Sequence, residues 1–417
     1  MRRWTLVSVF VLLGLLLSTG IPVVVGQSDR SVKDGQDRVF ALRAEVVTTA
    51  LARGAVFDCA NYHPEGSAVL PAEQPIFRVV RRAKITPDDG RDYLGAVWSP
   101  KGDALVFVSP TDQQRPIRER EALPSDGETR LVAVSINELW LYFPQHEVWE
   151  LITLDGTRPV WSTDGRSLYY MAGSDLMRFE LSTRTSFRTG LSAPDTTNGL
   201  LFSQPLPDGR LLAPKRPHAP LEVQGDQVPA AWGQIEVAES DYVLLSPCAD
   251  RAIVAYGANT WKGKFTPSVA VLYHPTRGII PLFRNCQYSA LEIAWSPAGD
   301  RIAYPVHADR PEIRVYDVES GRTHVIVRLD AFDNLSGLSW SPDGRFLAFT
   351  RGDGRSGPRS IWVVSTDGAK QQLLVDDGLL PNWSPDGRHI LYARPASNRI
   401  LDWYLLEIAA LPESNGR

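Results

Sequence analysis

Trp340-Ser341-Pro342-Asp343-Gly344-Arg345 and Trp383-Ser384-Pro385-Asp386-Gly387-Arg388 are one phrase written twice. Three further copies match it closely: Trp98-Ser99-Pro100-Lys101-Gly102-Asp103, Trp161-Ser162-Thr163-Asp164-Gly165-Arg166 and Trp295-Ser296-Pro297-Ala298-Gly299-Asp300. Each residue has a task in a β-hairpin. Pro presets φ for the turn, Asp bonds the backbone just ahead, and Gly takes positive φ at little steric cost. The Trp ends the preceding strand, where its flat side chain fills the space between stacked sheets. Phrase residues such as Trp98, Trp161, Trp295, Trp340, Trp383, Asp343, Gly344, Asp386 and Gly387 are therefore read as structural.

After each turn the chain is apolar without alternation, as in Phe346-Leu347-Ala348-Phe349, Ile390-Leu391-Tyr392 and Leu105-Val106-Phe107-Val108. Such a strand is buried on both faces. A third strand comes next (Glu138–Tyr142, Ile313–Tyr316, Ser360–Val364), and a fourth closes the unit (His324–Val327, Gln371–Val375). Four short antiparallel strands per period make a propeller blade. Two copies are worn. Phe202 to Arg210 fits only with an insertion before its turn, and Leu245-Ser246-Pro247-Cys248-Ala249-Asp250-Arg251 loses Trp, Asp and Gly. From Ser99 to Ser384 the step averages about 47 residues, within the range of blade repeats. The expected fold is all-β, a single β-propeller of seven four-stranded blades, with six as the alternative.

The Trp-Ser-Pro-Asp-Gly-Arg phrase, the apolar strand after it and the closing Asp-Gly or Ser-Gly turn resemble the WD40-like repeat (PD40) of TolB-type β-propellers. The resemblance covers about residues 92 to 409. It implies the fold and leaves the activity open, because such propellers serve as scaffolds, sensors and appended domains. A TolB-type protein is expected to carry an N-terminal α/β domain, and about sixty residues is too short for one. The resemblance therefore does not carry over a Tol-system role.

The 417 residues are 43% hydrophobic and carry a formal net charge of −4, a balance that gives no case for nucleic acid. Arg2-Arg3 and the apolar run from Trp4 to Val25 have the pattern of a secretory signal. Cleavage near Gly26 is one outcome, and an uncleaved membrane anchor over residues 4–25 is the other. Residues 1–26 are thus the signal or anchor, 27–91 an N-terminal segment and 92–417 the propeller, placed outside the cytoplasm, secreted, periplasmic or anchored. Within the middle segment, Asp37 to Gly54 is ambiguous between helix and strand. Ile76-Phe77-Arg78-Val79-Val80 reads as a strand that completes the last blade and closes the ring.

No His-x-His, His-Glu-x-x-His or Cys/His spacing suits a metal, and no Gly-x-Ser-x-Gly elbow marks a nucleophile. No catalytic residue, metal or cofactor is assigned. Three cysteines are too few for a disulfide framework, and a Cys59–Cys286 bridge stands beside unpaired thiols as an open alternative. The loops joining second to third strands are long and basic. Trp261, Lys262 and Lys264 lie on blade four, His307 and Arg310 on blade five, Arg351 and Arg355 on blade six and Arg394 on blade seven. On one rim they would bind a protein or glycan partner, with the chain expected to be a monomer. The alternative is an extracytoplasmic hydrolase or lyase with its site in the central funnel.

Overall fold

The computed structural model describes residues 68–119, 130–194, 203–215, 221–225, 242–256, 269–284, 293–307, 310–330, 333–353, 358–397 and 400–412. It adds Tyr62, Pro64, Ile235 and the backbone of 57–58, 259–261 and 264–266, and for 114–119, 130–135, 284 and 353 it describes the backbone alone. The expected signal or anchor, the ambiguous Asp37–Gly54 stretch, Cys59, Cys286, Lys262 and Arg355 lie outside the described residues. Cys248 is an exposed free thiol in a turn.

Among the described residues the fold is all-β, seven blade sheets of three to five strands arranged as a propeller, with one separate two-stranded hairpin. Blade one comprises Gly95–Trp98, Leu105–Glu119, Arg130–Phe143 and Val148–Thr153, and blade two Thr157–Trp161, Ser167–Ala172, Asp175–Glu180 and Thr185–Ser192. Blade three comprises Gln204–Pro205, Leu211–Pro214 and Leu221–Gln224, with Ile235 bridged to Leu221 where an outer strand belongs. Blade four is built from Tyr242–Leu245, Ala252–Tyr256, Val269–His274 and Gly278–Arg284, and blade five from Ala294–Trp295, Arg301–Val306, Glu312–Asp317 and Thr323–Arg328. Blade six is Asp333–Trp340, Phe346–Asp353, Arg359–Ser365 and Lys370–Val375. Blade seven takes three strands from the C-terminal end of the chain, Leu379–Trp383, His389–Pro395 and Leu401–Ala410. Its fourth place is taken by Phe77–Lys84, antiparallel to Tyr404–Ala410.

The phrase is a hydrogen-bonded turn with a buried hydroxyl at its centre. Ser341 Oγ accepts the Phe346 amide at 2.9 Å and donates to Asp343 Oδ1 at 2.6 Å. Ser162 with Asp164 and Ser384 with Asp386 repeat this at 2.7 and 2.5 Å. Burial works against the charged form of Asp343, but the Ser341 hydroxyl and the Arg345 side chain and amide outweigh it and hold its pKa below the ordinary carboxylate value. Where the fourth position of the phrase has no Asp, the residue after the glycine position supplies the carboxylate. Ser99, Ser246 and Ser296 donate to Asp103, Asp250 and Asp300 at 2.5, 2.7 and 2.6 Å. The blade-four copy is therefore less worn than its letters imply, and Ala249 even adopts the glycine conformation, at φ 52.

The blade-three copy corrects the sequence alignment. The Gly209 amide bonds Leu206 O as the turn glycines bond the serine carbonyls elsewhere, while the Leu206 amide bonds Arg210 O, one residue nearer than the carbonyl each repeat serine reaches, so this turn is one residue shorter. Leu206-Pro207-Asp208-Gly209-Arg210 is thus the phrase with Leu for Ser and Pro205 in the Trp place, and no insertion is needed. Ser203 is not the repeat serine.

The tryptophans lock neighbouring blades. Trp98 Nε1 donates to Asn382 O at 3.3 Å, Trp161 to Val97 O at 3.1 Å, Trp295 to Leu244 O at 3.3 Å and Trp340 to Ala294 O at 3.0 Å. The acceptor always precedes the equivalent position of the previous blade. On the turn side, Arg251 donates to Gly299 O at 2.9 Å and Arg301 to Gly344 O at 2.8 Å, so each arginine reaches the next turn.

The described residues between 57 and 84 lie on the outside of the ring as a strap. Phe57–Asp58 add parallel to Phe283–Arg284 of blade four, Val69 bridges Arg328 of blade five, and Ala72–Glu73 add parallel to Lys370–Gln371 of blade six. Gln372 then pins the crossing to blade seven. Its Oε1 accepts the amides of Ile76 and Phe77 at 2.7 Å each, and its Nε2 donates to Phe77 O at 2.8 Å. Deleting residues 27–85 is expected to lower the thermal midpoint by several degrees, because four blades lose an edge partner at once. An unchanged midpoint would mean that the ring holds shut without the strap.

Candidate functional site

Second strands end and third strands begin on the face opposite the Ser-Pro-Asp-Gly turns, which is also where one blade leads into the next. On this rim the repeat places equivalent residues in register. Phe107, Tyr304, Phe349 and Tyr392 lie opposite Trp140, Arg314, Trp362 and Tyr404 of the third strands. Two residues before each of those stands a polar group, Glu138, Glu312, Ser360 or Asp402.

Four consecutive clefts between blades hold an arginine over an aromatic ring. Between blades five and six, the Arg351 guanidinium lies 5.5 Å from the Trp362 ring centre, and its Nη2 pairs with Asp333 at 2.9 Å. Trp362 Nε1 donates to Ser360 Oγ at 3.0 Å. Between six and seven, Arg394 lies 5.5 Å from the Tyr404 ring centre and pairs with Asp377, while Arg82 of the strap lies 5.6 Å from the same ring centre. Between seven and one, Arg91 lies 5.0 Å from the Trp140 ring centre and bonds Asp89 at 2.9 Å and Glu138 at 3.2 Å. Burial opposes the charge on Asp89, but the amide and side chain of Arg91 and the Tyr93 hydroxyl outweigh it and hold its pKa below the usual range.

The cleft between blades four and five is the most enclosed. Glu312 is 0% exposed and accepts from Arg314 at 2.8 Å, from Arg328, and from the Tyr62 hydroxyl at 2.9 Å. Arg314 lies 4.6 Å from the Tyr62 ring centre, so the strap supplies the aromatic group here. Cation–π pairs of this kind contribute about 0.5–1 kcal/mol where exposed and more when desolvated.

The described residues singled out in the sequence are distributed over blades four to seven. Arg351 and Arg394 occupy equivalent places in adjacent clefts. His307 is exposed and Arg310 half-buried on blade five. Trp261 and Lys264 are backbone partners in a short hairpin, Asn259–Trp261 with Lys264–Thr266. The basic segment Pro110–Arg130, read as a loop, is instead largely a hairpin, because the second and third strands of blade one stay paired out to Glu119 and Arg130. The polar sequence of Pro110–Glu119 hides this pairing, because it carries no hydrophobic period. Asp333, Asp377, Arg91 and Glu138 were missed. The one signal that could have found the third-strand group is an acid two residues before a large side chain. Arg158 was also missed. It sits at φ 54 in a bulge of blade two's innermost strand, donates to Ser203 O, and burial pushes its pKa down to about 10. Among the described residues no three His, Cys, Asp or Glu side chains gather as a metal site.

No family model matches the chain. An uncharacterized protein of Agrobacterium fabrum is 28% identical over 128 residues, 30% of this chain, and the chain spans only 42% of that relative. Among solved structures, an oligogalacturonate lyase in complex with manganese has a TM-score of 0.51 at 15% identity, covering 83% of this chain and 99% of that one. An oligogalacturonate lyase from Vibrio parahaemolyticus has a TM-score of 0.50 at 13% identity, covering 84% and 97%. TolB from Acinetobacter baumannii, with a TM-score of 0.36 at 16% identity, covers 70% of this chain and 57% of that one. At these identities the likeness is one of fold.

Replacing Glu312 by Gln would leave Arg314 and Arg328 buried against a neutral group. The loss expected is about 3–5 kcal/mol, read as a lowered urea midpoint. An unchanged midpoint would refute the reading of Glu312 as the charge that anchors strap to rim.

Proposed function

We propose that the chain is an extracytoplasmic binding propeller that takes a protein or glycan partner on the rim opposite the Ser-Pro-Asp-Gly turns. The observation that carries this reading is the pair Arg351 and Arg394, repeated in adjacent clefts. Each guanidinium lies over an aromatic ring and, among the described residues, pairs through one nitrogen, which leaves further N–H groups of a planar fork for a ligand. Rings beside such forks suit sugar faces, and the forks suit carboxylates of sugars or acidic peptides. Location outside the cytoplasm rests on Arg2-Arg3 and the apolar run after them.

The two oligogalacturonate lyases point to a second reading, in which an acidic oligosaccharide is cleaved rather than held. The test combines a glycan array, pull-down from envelope extract, and incubation with oligogalacturonate with and without manganese. The expected result is retention of an anionic partner that the double variant Arg351→Glu, Arg394→Glu loses by tenfold or more, about 1.4 kcal/mol or greater. Retention that the variant leaves intact would overturn the assignment of this rim. Release of unsaturated product by the native chain would replace binding by the lyase reading.

A further inference from the structure

In blades two, four, five and seven the residue five places after the phrase serine stands opposite a third-strand residue on the turn face. Blades two, five and seven put an acid there: Glu180 opposite Ser167, Asp317 opposite Arg301 and Glu407 opposite His389. Blade four departs from this. One step beyond the pair of Ala252 and Tyr273, Arg251 meets His274, an imidazole in the place of a carboxylate.

The acid of blade five caps its own turn. Asp317 Oδ1 accepts the Ser320 amide at 2.7 Å and the Ser320 hydroxyl at 2.6 Å. His274 does the same in blade four, where its Nδ1 accepts the amides of Thr276 and Arg277 at 3.3 Å each. An amide nitrogen can only donate, so Nδ1 must keep its lone pair, and a proton placed on it removes both bonds. A carboxylate keeps its acceptors down to strongly acid pH, whereas an imidazole gives them up just below neutrality.

His274 is 7% exposed and lies beside the two arginines that tie this turn to blade five. Arg251 Nη1 donates to Gly299 O at 2.9 Å, and Arg277 Nη1 donates to Val318 O at 2.8 Å and Glu319 O at 3.3 Å. Arg251 Nε is buried without a hydrogen-bond partner among the described residues, and Asp250 stands 3.7 Å from Arg251 Nη2. The charged groups facing the imidazole are thus Arg251 and Arg277, with Glu319 and Asp250 opposing them. Burial, and then the two arginines, hold its pKa below the ordinary imidazole value against the smaller pull of the two acids.

We infer that His274 makes the seam between blades four and five acid-sensitive, holding the turn while neutral and loosening it, with both arginine ties, once protonated. The protonated ring loses its two amides and becomes a third positive charge beside Arg251 and Arg277. The unfolded chain takes up this proton near pH 6.5 while the folded chain resists it, so stability present above about that pH is lost as the pH falls toward the folded value. The device lies at the turn end of the seam, away from Glu312 and from the rim of Arg351 and Arg394.

The test compares the full native chain with His274→Asn and His274→Asp between pH 7.5 and pH 5. Asn keeps a side-chain acceptor for the turn amides, Asp restores the arrangement of blade five, and neither takes up a proton in this range. The native thermal midpoint should fall by about 1 °C or more beyond the fall in either variant. Amides 276–284 should lose protection at pH 5, after correction for intrinsic exchange rates, in the native chain alone. The His274 imidazole resonance, assigned by its loss in the variants, should titrate below the ordinary value. Equal pH profiles for all three chains, or a titration at or above that value, would overturn the inference. Should one variant fail to fold, the other completes the comparison.

Discussion

The structure depends on one hydrogen bond, from the indole of a repeat tryptophan to the carbonyl that precedes the equivalent position in the previous blade. It ties blades seven to one, one to two, four to five and five to six. A propeller blade is a small twisted sheet that cannot bury both faces alone, so its stability lies in the seams. The tryptophan fills the seam with a large flat side chain and gives its only polar atom a partner, which satisfies burial and hydrogen bonding together. Pro205 and Leu245 have no such donor. At the seam between blades six and seven, Trp383 Nε1 lacks a partner among the described residues, and the Trp383 amide bonds Ser339 Oγ at 2.9 Å instead.

Once the seams fix the blades in register, equivalent residues return at the same height on the opposite rim. A stacked arginine with its carboxylate in four consecutive clefts is the result. The charges there are mostly compensated, which sets a firm scaffold. The unfilled sides of the guanidinium forks provide its recognition chemistry. The strap belongs to the same design, since Tyr62 and Arg82 contribute a ring and a cation to two of the clefts.

The fold was legible in the sequence because turn chemistry is local. Ser, Pro, Asp and Gly act on neighbours within a few residues, so their spacing exposes the period directly. The same locality misled at blade three, where Leu206 replaces the serine, and at Ser99, Ser246 and Ser296, whose carboxylate comes from the other side of the turn. The rim was only partly legible. Arg351 and Arg394 could be named, but Asp333 and Asp377 meet their arginines, and Arg91 meets Trp140 and Glu138, through tertiary placement that no spacing encodes. The paired backbone from Pro110 to Glu119 was hidden because its polar sequence carries no hydrophobic period.

Comparison of Trp340→Phe with Trp383→Phe tests the seam bond most directly. Phe keeps most of the packing and removes only the indole N–H. At Trp340 the change removes the indole bond to the Ala294 carbonyl, at a cost of about 0.5–1.5 kcal/mol. At Trp383 no bond is lost, and the edge contact with Phe77, 5.5 Å between ring centres, remains available. A clearly lower thermal midpoint for the first variant and a near-native one for the second is the predicted result. Equal midpoints would contradict the account, because packing alone would then hold the ring.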